Sequence, residues 1–201
     1  MSLLKNRAFV IPMAIVIILA VGVITAFGDL KSDIRKTEKL YYDGVKAETG
    51  SYLRPSIYNQ MNVKISTANS ILGIINEYPE LDEAADALRT AKDHAFDCTG
   101  AYDENTIRNM GWANEELLQA VEKLKSALED VSLPEREQNA LDRYLKDMDG
   151  AQNVIEASGY NEAVRELNMG VMQRFPARQM LRLMKNPSGG ATYFGNFRYE
   201  M

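Results

Sequence analysis

Residues 8–27, "AFVIPMAIVIILAVGVITAF", run for 20 positions without a charged side chain. A helix that is apolar on every side must either be buried wholly in protein or leave the water. At 1.5 Å rise per residue, such a run reaches roughly 30 Å, the thickness of the hydrocarbon core of a bilayer. Pro12 falls in its first turns, where a missing N–H is tolerated best. A cleaved signal peptide, cut after Ile24-Thr25-Ala26, competes with this reading, but signal cores are typically about 7–15 residues long. A buried helix of a soluble protein fits so long an uncharged run less well. The reading adopted is a single-pass anchor over 8–27 behind a short tail, 1–7, with the lipid bilayer as its first partner. Lys5, Arg7 and the terminal amine favour a cytoplasmic N-terminus, whereas Lys31, Arg35 and Lys36 argue the opposite. Long C-terminal domains translocate largely regardless of such charges, so the soluble domain is expected outside the cytoplasm.

Beyond the anchor the periodicity is helical almost throughout. Leu30, Ile34, Tyr41 and Val45 extend the first helix to an expected end near Gly50. From Ser56, the positions Ile57, Met61, Ile65, Ala68, Leu72 and Ile75 recur at three- and four-residue steps. Pro79 then either kinks that helix or starts another, with Glu80, Asp82 and Glu83 favourable near an N-terminus. "DCTGAYDEN" is turn-rich. A third segment, 104–131, carries Leu117, Val121, Leu124 and Leu128, and a fourth opens at Pro134 and is expected to run to Phe175. No stretch alternates strictly enough to argue for a strand. The expected fold is therefore all-α: an N-terminal transmembrane helix followed by an antiparallel bundle of about four long helices over 29–185, packed as in a coiled coil. An aromatic tail, 186–201, follows. Its Tyr193, Phe194, Phe197 and Tyr199 either dock on a groove or leave the tail flexible.

Composition narrows the chemistry. A net charge of −5 argues against nucleic acid, which needs a basic face. A single cysteine and a single histidine exclude a disulfide and a Cys-based zinc cluster, and starve most other metal or nucleophilic sites. Cys98 and His94 are a poor nucleophile pair beside a helix end. The acidic group Glu77, Glu80, Asp82, Glu83 and Asp86 lacks the spacing and central Gly of an EF-hand loop. His94 has Ala91 three residues before it, so no Glu-x-x-His pair for di-iron forms. Trp112 reads as a core or hairpin anchor. Neither a cofactor nor a metal is expected, and the chain does not read as an enzyme.

The most informative polar pattern closes the domain. In "YNEAVRELNMGVMQRFP", residues 160–176, Tyr160, Val164, Leu167, Val171 and Phe175 form one apolar stripe at helical spacing. Asn161 and Asn168, seven residues apart, share one shoulder of it, with Arg165 one turn after Asn161. Half-buried amides cost free energy unless they find partners. They either cross-link to a facing helix and fix its register, or line a polar notch for a small ligand or peptide with Tyr160 and Arg165. Past Pro176, the basic residues Arg174, Arg178, Arg182 and Lys185 follow at three- and four-residue steps. They are either solvated or touch anionic headgroups at the membrane surface.

The anchor, the helical domain and these closing residues together resemble the LemA family of bacterial membrane-anchored helical proteins. The resemblance rests on Tyr160-Asn161, Val164, Asn168 and Phe175-Pro176, and on the tail "ATYFGNF". The chain departs from the family pattern at Ala157 and in "SYLRPSIYNQM". The resemblance implies architecture and a plasma-membrane location more than a mechanism. The functional expectation is a non-catalytic interaction, scaffold or accessory module of the bacterial cell envelope, bound to another membrane or envelope protein. The alternative is an envelope protein that binds a small ligand or peptide at Asn161, Arg165 and Asn168.

Overall fold

A computed structural model describes residues 7–46, 52–100, 106–173 and 190–195. Its elements are α1 (Arg7–Asp43), β1 (Val45–Lys46), β2 (Tyr52–Arg54), α2 (Ile57–Ile75), α3 (Asp82–Gly100), α4 (Thr106–Leu128), α5 (Glu135–Glu156) and α6 (Tyr160–Gln173). The fold is all-α apart from the small antiparallel ladder of β1 and β2, in which Val45 faces Arg54. Two compact units are present: Met1–Thr37 with Val164–Ala191, and Glu38–Ala163 with Thr192–Met201.

In the first unit, α1 is long and apolar enough to cross a membrane. None of its most apolar stretch is buried, and Ile15, Val16, Ile17, Ile18, Leu19 and Ile24 are all exposed. The run is thus not a core helix of this chain on its own. Leu30, Ile34, Val164, Val171 and Ala191 are the buried apolar residues described in this unit.

The second unit holds the bundle. Helix α1 ends at Asp43, short of Gly50, because Gly44 turns left-handed (φ 66°) and its N–H reaches back to the Leu40 carbonyl at 3.0 Å. Val45 therefore leaves the helical stripe for the ladder. Ser56 caps α2 by accepting from the Asn59 N–H at 3.0 Å. At Pro79 the helix does not merely kink: α2 stops at Ile75, a 3-10 turn spans Pro79–Leu81, and α3 begins at Asp82. Helix α2 packs on α3 and α5, and α3 packs on α4. Met61, Ile71, Ile75, Leu81, Leu88, Met110, Leu117, Leu124 and Leu141 are fully enclosed.

Several expectations change. The fourth segment is two helices, since Ser158 and Gly159 break it and Gly159 takes a left-handed φ of 68°. Ile65 and Leu128 are only half-buried. Trp112 is 39% exposed and so does not anchor the core. Conversely, Lys64 is fully buried among the apolar residues of α2.

Candidate functional site

Gly159 ends one helical path and lets Tyr160 and Asn161 open the next. At this first turn of α6 the second unit holds a piece of its own chain. The Asn161 side-chain Nδ2 donates to the Phe194 carbonyl at 3.0 Å, and the Phe194 N–H donates to Asn161 Oδ1 at 2.9 Å. A carboxamide carries one donor edge and one acceptor, so it satisfies the N–H and the C=O of a single residue at once. Such a two-point clasp reads main chain, not side chain. Two residues earlier, the Tyr160 hydroxyl donates to the Thr192 carbonyl at 2.7 Å, and the Thr192 N–H donates to Glu38 Oε1 at 3.2 Å. Residues 192 and 194 are thus both held by N–H and C=O, on either side of Tyr193, in a segment that bends at 191 and again at 194 and 195.

Side chains complete the seat. Phe194 is buried, with its ring centroid 6.0 Å from that of Tyr41. Tyr41 in turn meets Tyr42, Tyr58 and Tyr160 edge-on at 4.8, 6.3 and 6.0 Å. Beyond Phe194 the main chain comes so close to α4 that a Cβ on Gly111 would lie 1.8 Å from the Gly195 nitrogen. Gly195 itself has φ +78°. Both glycines are needed, one for space and one for conformation. Burial pushes the Tyr160 hydroxyl above the ordinary phenol range, with Glu38, Tyr41 and Tyr42 adding to the shift. It therefore stays protonated, and a donor, at neutral pH.

A cleft of about 480 Å³ adjoins this seat, lined among others by Ile57, Asn114, Gln152, Ile155, Glu156 and Asn161. Two of these residues also serve the buried Lys64. Its ammonium donates to Asn114 Oδ1 at 2.6 Å and to Gln152 Oε1 at 2.9 Å, tying α2 to α4 and α5. Desolvation lowers the Lys64 pKa to about 8, partly offset by Asp149 and Glu156.

The first unit contains a second clasp of the same kind. Asn168 Nδ2 donates to the Ala191 carbonyl at 3.0 Å, and the Ala191 N–H donates to Asn168 Oδ1 at 2.9 Å. A Cβ on Gly190 (φ +150°) would fall 2.0 Å from that oxygen.

The two asparagines therefore meet the main chain of residues 191 and 194, where a facing helix was one expected partner. Of the notch expected from Tyr160, Asn161, Arg165 and Asn168, Tyr160 and Asn161 line the cleft. Val164 is fully buried and Arg165 half-buried. Phe175, Pro176, Arg174, Arg178, Arg182 and Lys185 lie outside the described residues. Among the docking aromatics, Phe194 is seated and Tyr193 half-buried, while Phe197 and Tyr199 lie outside the described residues. His94 pairs with Glu116 at 2.6 Å on the surface, and Cys98 is buried. No group of three His, Cys, Asp or Glu side chains able to hold a metal occurs among the described residues. Glu38, Gly111 and Lys64 were not singled out from sequence. Lys64 alone carried a local signal, since it falls on the buried spacing between Met61 and Ala68.

Comparison with family models, curated proteins and solved structures finds no match for this chain.

Proposed function

We propose that this protein is a single-pass, membrane-anchored interaction module of the bacterial cell envelope, of the LemA-like kind, with its bundle outside the cytoplasm. It works by seating a peptide segment, not by catalysis. The observation that carries this reading is the two-point clasp of Asn161 on residue 194, joined by Tyr160 and Glu38 on residue 192. Main-chain hydrogen bonds to alternate residues are how a protein recognises a peptide segment without reading its side chains, and the pocket for the Phe194 ring adds specificity. The apolar, unburied run of α1 supports the anchor.

The test uses full-length protein with Phe194→Ala, which weakens the internal occupant and leaves Asn161, Tyr160 and Glu38 in place. A labelled five-residue peptide copying residues 191–195 is expected to bind it, and to bind about tenfold less once Asn161 is also changed to Leu, since the two hydrogen bonds of the clasp are together worth about 1.4 kcal/mol. Equal binding by both variants would remove the clasp from the function. Extraction of the full-length protein from membranes by alkaline carbonate would remove the anchor.

The cleft of about 480 Å³ beside Gly195 favours a second reading, a small-ligand site lined by Asn114, Gln152 and Asn161. Saturable binding of a small envelope metabolite, unaffected by the peptide, would move the assignment there.

A further inference from the structure

The seat has requirements that few segments meet. The residue in the place of Phe194 must fill a closed aromatic pocket beside Tyr41. The next residue must be glycine, because the main chain there takes φ +78°. Upstream, the main chain must offer N–H and C=O at alternate residues to Glu38, Tyr160 and Asn161. The segment "ATYFG", residues 191–195, satisfies all three, and every copy of the chain carries it.

We propose that the same seat takes this segment from a second copy of the chain, so that neighbouring copies exchange tails. The inference rests on the peptide-seating function proposed above. Sixteen residues, 174–189, connect α6 to Gly190; a connection of that length spans up to about 55 Å when extended. Exchange of an identical element replaces each contact by the same contact, so only association itself has to be offset. Anchoring copies in one bilayer raises their local concentration in the way a tether does.

The experiment pairs two full-length variants carrying different affinity tags. One has Asn161→Asp, which damages the seat and keeps the tail. The other has Phe194→Ala, which damages the tail and keeps the seat. Mixed in detergent, each supplies what the other lacks, and the mixture is expected to co-purify at least tenfold better than either variant with a differently tagged copy of itself. Asn161→Leu serves as a second seat variant, and circular dichroism verifies that each protein keeps its helical content. Co-purification of the mixture no better than that of the self-pairs overturns the exchange. A labelled peptide copying residues 191–195, titrated onto the Phe194→Ala protein, then separates the two ideas. Peptide binding without mixed pairs ends the exchange and keeps the seat, whereas absence of both ends the peptide-seating function as well.

Discussion

The interior of α2–α5 and the seat of residues 192–195 belong to one compact unit, yet different forces hold them. Between the helices, Met61, Ile71, Leu88, Leu117 and Leu124 are excluded from water and contribute by area. In the seat, most of the named contacts are hydrogen bonds to main chain, each worth a net 0.5–1.5 kcal/mol or so, around one buried aromatic ring. Area-driven packing tolerates neither cavities nor stray charge but asks little of direction. A main-chain clasp asks for direction above all, and is reversible because water can replace it. In this unit the second kind of contact rests on the floor made by the first.

Several changes should separate the two regions. The largest effect is expected from Leu117→Ala, at the centre of α4: a loss of about 2–5 kcal/mol in chemical denaturation, typical of a truncated core leucine. If Asn161→Ala cost as much, the seat would be part of the core and the contrast would fail.

Next comes the buried ammonium. Lys64 has a pKa of about 8 in the folded protein against 10.5 for the ordinary side chain. Between those values the unfolded chain binds more protons, so folding stability should rise with pH across that window, by on the order of 3 kcal/mol. Below pH 8 both states are protonated and the penalty is constant. Tyr160 acts the other way above its ordinary value of 10.0, where the unfolded phenol ionises first. Denaturation midpoints measured from pH 7 to 11 should therefore climb and then turn over, and Lys64→Met should abolish the climb. A flat profile for the unaltered protein would contradict the buried charge.

A smaller effect is expected from Asn161→Ala, about 1–3 kcal/mol for the seat with its unpaired main-chain groups returned to water. The signal should appear in the near-ultraviolet spectrum around Tyr41 and Phe194, with the helical midpoint nearly unmoved. Smallest is His94→Gln, which breaks an exposed contact with Glu116 and should shift the midpoint by no more than about 0.5 kcal/mol.

The same contrast explains what could be read from sequence. The bundle was legible because helical spacing encodes one apolar face, and Ile57, Met61, Leu72, Ile75, Leu117 and Leu124 are buried where that spacing puts them. The break at Gly159 was not read, although the buried stripe of α5 (Met148, Ala151, Ile155) is followed by one in α6 (Tyr160, Val164, Val171) that starts five residues after Ile155 and so lies out of helical phase with it. Asn161 and Asn168 stood out as polar residues in need of partners, yet their partners are main-chain groups 33 and 23 residues away. A main-chain group has no residue identity, so composition and periodicity could not name it. Gly111 was silent for the same reason: its purpose is the space it leaves for Gly195.

The most direct measurement is amide hydrogen exchange at Phe194 in the full-length protein. The N–H that meets Asn161 Oδ1 at 2.9 Å should exchange some 10- to 100-fold more slowly than a free amide. In the Asn161→Leu protein, which has no acceptor at that position, that protection should largely disappear, while the amides of α2 and α4 keep theirs. An intrinsic exchange rate at Phe194 in the unaltered protein, or protection undiminished by Asn161→Leu, would contradict the clasp.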